Sequence, residues 1–445
     1  MCPIAPGQTY TYSFKATQYG TSWYHAHLSL QNAYGLLGPI VIHGPTTANY
    51  DVDVGPVLLS DWFHSSVWDI WTETQRVVSL NQPKAQNGLI QGLNPYNCTV
   101  SNIDPKCVGG AERFELQFEP GKRYLLRVVG VLMNAYMKFT IDGHMLQVVA
   151  VDFTPIVPYM TDNIIVASGQ RYDVIVEANQ PSGQSYWLRA PYMTYCNQMG
   201  NDNADNILGI VRYTGASTAD PTTTITPNVN NSCNDEPYAS LTPWVPHDVA
   251  PNATEEYIRI GWYYELNTVF HWTLHDNTFT IDYAKPSLLE LARGGDNFTV
   301  TDNVYVSGAP SGTFLYLIIQ DLTLVNAYHP LHLHGHDFYV LAQGHGLFDA
   351  ANTPINTKNP PRRDTATNLG NGHLVLGIKM DNPGSWLFHC HIAWHASQGL
   401  AMQLVEMPAD IPGVTSNDMT AADEACASWV PFYQTAPYKQ DDSGI

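Results

Sequence analysis

The segment His389-Cys390-His391-Ile392-Ala393-Trp394-His395 decides how the rest of this 445-residue chain is read. On a β-strand successive side chains alternate faces, so His389 and His391 point one way and Cys390 the other. One strand can then serve two metal sites. Cys390 offers a thiolate on one side, and the two histidines offer imidazoles on the other. The covalent path between the sites is short, which suits electron transfer. A trigonal set of two histidines and one cysteine, with a weak or absent axial ligand, is the blue-copper arrangement.

Two further clusters stand upstream. They are Trp23-Tyr24-His25-Ala26-His27 and His329-Pro330-Leu331-His332-Leu333-His334-Gly335-His336. The same alternation makes His25 with His27, and His332 with His334, same-face pairs. His329 and His395 are left to join Cys390. The remaining imidazoles suit a polynuclear copper centre that binds oxygen. An isolated His-x-His is more often ordinary core or surface chemistry, but three such clusters around one cysteine point to metal. Zinc is the competing metal, yet one thiolate among seven or eight imidazoles is a poor match to structural zinc sets. The other nine of the seventeen histidines (43, 64, 144, 247, 271, 275, 336, 345 and 373) read as ordinary side chains.

Composition bounds the fold. Charged residues make up only 13% of the chain, while it holds 26 Tyr, 11 Trp and 30 Pro. Few charges with many aromatics and turn formers favour short strands over long charged helices. Period-2 runs agree: Tyr10 to Phe14, Phe114 to Phe118 closed by Glu119-Pro120-Gly121, Asn163 to Ala167, Tyr172 to Glu177, Tyr257 to Trp262, Phe314 to Ile319, Phe338 to Leu341 and Leu374 to Ile378. Many short strands with such turns predict an all-β chain of sandwiches or barrels. Two helices are expected, one over Leu288 to Arg293 capped by Ser287, and one over Thr420 to Trp429. Length suggests about three domains. Gly44-Pro45-Thr46-Thr47 and the Thr/Pro/Asn-rich stretch Thr214 to Asn234 mark the boundaries, giving 1–45, 46–235 and 236–445. The first is too short for a sandwich of about 100 residues.

A net charge of −20 repels phosphate backbones, so no nucleic-acid partner is expected. No run of about 18 apolar residues exists to span a membrane. Four sequons (Asn97, Asn230, Asn252 and Asn297) and six pairable cysteines besides Cys390 fit an oxidising, secretory environment. No signal peptide precedes Met1-Cys2-Pro3, so that environment implies a segment upstream.

These motifs resemble the laccases of ascomycete fungi, within the multicopper oxidases, along essentially the whole chain. The clusters at 23–27, 329–336 and 386–395 are similar to the family's second, third and fourth copper motifs, with Ala26 where Ser is usual. Gly169-Gln170-Arg171-Tyr172-Asp173, Pro360-Pro361-Arg362-Arg363-Asp364 and Asp381-Asn382-Pro383-Gly384 agree as well. The resemblance implies consecutive cupredoxin-like Greek-key domains, the first truncated and the third carrying type 1 copper. It implies four coppers in an intact member. His329, Cys390 and His395 would hold type 1 copper, His332 type 2, and His25, His27, His334, His389 and His391 the type 3 pair. Leu400 would stand at the axial position, where it cannot ligate, and Met402 is discounted. His395 would take electrons from substrate, and Asp162 would accept the phenol proton. The tail Asp442-Ser443-Gly444-Ile445 would plug a channel to the cluster. The implied disulfides are Cys2–Cys426, Cys196–Cys233 and Cys98–Cys107.

One departure matters. The family's His-Trp-His-Gly motif has no counterpart here, so eight of ten copper histidines are present. The function implied is laccase-type oxidation of phenols and aromatic amines coupled to reduction of oxygen to water, by a secreted, glycosylated monomer of the kind that acts on lignin. The alternative is a non-enzymatic remnant that binds type 1 copper alone. Ferroxidase activity would need further acidic residues beside the type 1 histidines.

Overall fold

The computed structural model describes residues 2–76, 83–99, 107–134, 136–196, 200–224, 232–265, 269–416, 419–437 and 439–445. Five β-sheets organise them, in keeping with the all-β expectation. A two-stranded antiparallel sheet joins Gly20–His25 to Leu37–Ile42. A middle pair of sheets follows. Its six-stranded member runs Asn87–Ile90, Val52–Trp62, Arg123–Gly130, Arg171–Glu177, Leu146–Val151, Thr154–Thr161 from edge to edge. Its five-stranded member runs Ile164–Ala167, Tyr136–Ile141, Ser185–Arg189, Leu208–Tyr213, Glu115–Phe118.

The last pair repeats this plan. Six strands run Phe270–Leu274, Thr254–Tyr264, Phe314–Asp321, Gly372–Lys379, Phe338–His345, Arg362–Arg363, and five run Thr365–Asn368, His329–Leu333, Gly384–Cys390, Ala401–Glu406, Val304–Val306. Strand order, chain order and the parallel or antiparallel sense of each pairing match between the two pairs. The repeat is one of topology, and no internal sequence repeat announces it.

Burial explains the strands. Tyr136–Ile141 and Leu208–Tyr213 are buried along their whole length, as strands covered on both faces must be. Met137, Phe139 and Ile141 share one apolar core with Leu126, Val128 and Val174 of the facing sheet. Each such side chain contributes about 1.5–3 kcal/mol on burial.

The structure corrects three local expectations. Tyr10 to Phe14 form no strand, and Tyr12 and Phe14 are 67% and 73% exposed, because no strand among the described residues pairs with them. The helix expected at Leu288 is Ser287–Ala292 with Pro286 at its cap, and Ser287 is buried inside it. The last helix is longer, Met419–Thr435, running through Pro431. Residues 225–231, including Asn230, lie outside the described residues. No helix among the described residues is long and apolar enough to cross a membrane.

Charge clamps hold the two-stranded sheet against the middle pair. Arg127 pairs with Asp53 and Asp173 and donates to the Thr21 hydroxyl at 3.1 Å. Arg171 donates to the Thr21 carbonyl and to both oxygens of Asp364 at 2.6 Å, linking all three units. Removing one partner of such a buried pair strands the other and costs about 3–5 kcal/mol. Cys2–Cys426 ties the chain's two ends together, and Cys98–Cys107 and Cys196–Cys233 form as well, leaving Cys390 free and buried.

Candidate metal centre

The strand Gly384–Cys390 ends at its cysteine, and the helix Ala393–Ser397 begins three residues later. That sharp turn swings His395 back beside Cys390. The neighbouring strand His329–Leu333 sets Leu331 opposite Cys390 and His332 opposite His389. His329, at the start of the same strand, completes the group. Its Nδ1 lies 3.1 Å from Nδ1 of His395, and Cys390 Sγ lies 3.8 Å from the first and 3.6 Å from the second. A point equidistant from the corners of that triangle is about 2.0 Å from each donor, the length of a metal–imidazole bond. All three residues are at most 1% exposed.

On the other side of Cys390 six imidazoles gather: His25, His27, His332, His334, His389 and His391. Ring centroids are 4.5 Å apart for His25 and His27, 4.8 Å for His27 and His334, 5.2 Å for His25 and His391, and 5.5 Å for His389 and His391. His334 Nε2 and His389 Nε2 stand 3.3 Å apart. Ring nitrogens of His27, His334 and His389 all lie within 4.8 Å of one another, a spacing that one cation could bridge. Backbone carbonyls orient three rings. Nδ1 of His25, His332 and His389 hydrogen-bonds to the carbonyls of Ala26, Asp364 and Cys390 at 3.2, 2.7 and 2.8 Å. A carbonyl can only accept, so Nδ1 carries the proton and Nε2 faces the cluster as a free donor.

Electrostatics prepare the same outcome. Burial lowers His25 and His329 to about 4 and His389 to about 3, with neighbouring histidines adding to the effect at His25 and His389. It also holds His27, His334, His391 and His395 well below the usual histidine range. Neutral imidazoles are the ligating form. Burial pushes the Cys390 thiol up, so a cation must displace its proton on binding. The donor set therefore fits copper: a closed thiolate–imidazole triangle beside an all-imidazole cluster.

Of the residues singled out from sequence, these nine come together. Asp162 does not join them. It sits exposed on the turn between Thr154–Thr161 and Ile164–Ala167. Ile165, three residues on, packs in one cluster with Tyr328, the neighbour of His329. His336 stays outside, its Nε2 3.4 Å from the fully buried Glu406. Leu400 and Met402 are fully buried. The tail is buried too: Ile445 lines the cavity shared by His25, His27, His389 and His391, and Ser443 is bonded to Ser397 and Ala396.

Sequence reasoning passed over the supporting residues. Ser168 Oγ lies 3.2 Å from His391 Nδ1 while donating to the Leu132 carbonyl. Gly169 presses on the same ring: a Cβ there would stand 2.5 Å from His391 Cδ2. Asp364, held below the usual range at about 2 by Arg171 despite its burial, presents the carbonyl that orients His332. Trp272 packs edge-on against His329 and tilted against His395. The landmarks around Gly169 and Asp364 were the available signal, but their partners are close only in three dimensions.

Comparison with known proteins agrees with this chemistry. Family models described as multicopper oxidase match residues 1–47, 53–216 and 266–410. Laccase-2 of Botryotinia fuckeliana is 44% identical over all of this chain and 75% of its own length. Oxidoreductase OpS5 of Beauveria bassiana is 46% identical with the same coverage. The crystal structure of a laccase from Botrytis aclada superposes with a TM-score of 0.93 at 43% identity, over all of this chain and 80% of that one.

Proposed function

This chain belongs to the multicopper oxidase family, and we propose how its residues divide the work of a laccase. The reaction takes electrons one at a time from an oxidisable substrate and delivers them to O2. Phenols and aromatic amines are the substrate class we assign. His329, Cys390 and His395 would hold one copper, which would supply the one-electron acceptor. His25, His27, His332, His334, His389 and His391 would hold the coppers of a second site, which would supply electrons for the reduction of oxygen. Bound there, copper supplies the one-electron redox steps that no side chain of this set could perform alone.

The protein's own residues do the rest. Asp162 takes the phenolic proton as the electron leaves, which avoids a charged radical. The imidazole of His395 is the contact between substrate and the mononuclear site. Cys390 is bonded through the backbone to His389 and His391, so the electron crosses between sites along a short covalent path. Leu400 is fully buried and carries no donor atom, so it would add no ligand to His329, Cys390 and His395. Four substrate molecules each give one electron; with four protons these convert one O2 to two waters. The tail at Ile445 closes the cavity beside the cluster. We assign the three units as residues 1–45, 46–235 and 236–445, and place the protein outside the cell as a monomer, since disulfides persist where conditions are oxidising.

The observation that carries this reading is Cys390 between two histidines, with a closed donor triangle on one side and six imidazoles on the other. Copper content and oxygen uptake test it. Turnover of a phenol with oxygen consumed at one O2 per four phenols is expected. One copper per chain without uptake would overturn it.

A further inference from the structure

The strand Thr254–Tyr264 carries its core-facing register out to the surface. Ile258 and Ile260 are fully buried; Trp262, next on that face, is 40% exposed. In the antiparallel ladder Trp262 stands opposite Trp272, and Tyr264 opposite Phe270. Four aromatic side chains therefore share one face. Their rings touch in sequence. Trp262 stacks on Phe270 at 5.9 Å and 25°, and Phe270 meets Trp272 at 5.1 Å. Trp272 reaches His395 at 4.8 Å and His329 at 5.0 Å. Every step lies within the range of direct aromatic contact. A continuous line of rings thus joins solvent to both imidazoles beside Cys390. Cross-strand packing alone explains aromatic pairs in a sheet. It does not call for an indole on the core register to stand in water, nor for the line to end on both imidazoles of the mononuclear site.

We propose that Trp262 is a second point where electrons enter the protein, serving aromatic donors too large to reach His395, such as phenolic polymers or phenols fixed to a surface. This rests on the reading of His329, Cys390 and His395 as the electron-accepting copper site. The donor stacks on the exposed indole and loses one electron. Its phenolic proton goes to water, leaving a phenoxyl radical. The electron passes along Trp262, Phe270 and Trp272 to the site of His329, Cys390 and His395, where copper, once bound, would supply the one-electron acceptor. Phe270 is not oxidised; its ring fills the gap between the two indoles and strengthens their coupling.

Two measurements on the copper-loaded protein test the proposal. The first is the anaerobic bleaching rate of the blue band with a small phenol and with the same phenol grafted on dextran. Trp262→Leu should lower the grafted-to-small rate ratio about tenfold. Tyr263→Leu, an exposed aromatic one residue away on the opposite face, should leave the ratio unchanged. The second is flash oxidation of the pre-reduced protein by a bulky photo-oxidant that stays in solution. The tryptophan radical should decay as the blue band rises, and in Trp262→Leu the fast rise should vanish. An unchanged ratio together with an unchanged rise in Trp262→Leu overturns the inference while leaving the copper assignment intact. Failure of the small phenol to bleach wild-type protein overturns the assignment beneath it.

Discussion

The middle and last pairs of sheets are built on one plan, yet only one of them carries the metal donors. The strands Tyr136–Ile141 and Ser185–Arg189 hold the places that His329–Leu333 and Gly384–Cys390 hold in the last pair. In the middle pair those strands read Tyr-Met-Lys-Phe-Thr-Ile and Ser-Tyr-Trp-Leu-Arg, with no histidine or cysteine. In the last pair they read His-Pro-Leu-His-Leu and Gly-Ser-Trp-Leu-Phe-His-Cys. The topology is thus a scaffold, and the chemistry depends on which side chains occupy it. The middle pair still serves the site. It contributes Ser168 and Gly169 against His391 and Arg171 against Asp364, so it acts as a buttress for ligands it does not own.

The sharpest way to erase the difference is Cys390→Ser. It should abolish both the blue absorbance and oxidase turnover, because a hydroxyl at that position cannot replace a thiolate as electron conduit. Retained blue colour in the variant would sink the copper assignment.

Gly169→Ala attacks the buttress instead. Gly169 has φ of +85°, and its new methyl would press on the His391 ring. Copper affinity at the six-histidine cluster should fall about 10–100-fold, the usual cost of disturbing a ligand's support. The blue band should survive. Copper content and absorbance read separately on the purified variant check both halves.

Acid should separate the two pairs of sheets in copper-free protein. His329 and His389 have folded values near 4 and 3, below the unfolded 6.5. Between those limits the unfolded chain binds more protons, so stability falls as pH drops below 6.5. The loss is on the order of 2 kcal/mol per imidazole at pH 5. Asp61, in the middle pair, runs the other way. Burial raises it to about 6 against the backbone donors Met133 and Asn134, so its folded form gains a proton first and stability rises as pH falls through 6. Hydrogen exchange at pH 5 should show the strand His329–Leu333 losing protection before Val52–Trp62. Equal loss would mean the two pairs unfold as one unit.

The smallest effect is expected at Asp162, the middle pair's proposed contribution to substrate. Asp162→Asn should lower kcat/KM for phenols about tenfold, less than a buried general base would cost because the turn is exposed. A donor with no ionisable proton should be oxidised at the wild-type rate, and steady-state kinetics with both donors decides it.

Much was legible in the sequence for a simple reason. Strand alternation is a local rule, so His389-Cys390-His391 and His25-Ala26-His27 announce their faces without any tertiary knowledge. Tyr10 to Phe14 obeyed the same pattern and failed, because alternation signals a strand only where a partner exists to complete its hydrogen bonds. The helix at Ser287 was found but its cap was not, since Ser287 is buried as part of the helix.

By itself, then, the sequence determined the all-β class, the donor types and which histidines share a face, since these follow from side-chain chemistry and a two-residue period. The tertiary structure alone decided that His329 and His395 close on Cys390 at metal-bond spacing, and that six imidazoles from three distant segments meet. It also decided that Arg171, Ser168 and Gly169 brace that meeting from a pair of sheets with no metal donors. His395 reaches Cys390 across a local turn of 5 residues, but His329 reaches it across 61 and His25 reaches His391 across 366, and only packing of distant segments can set such distances.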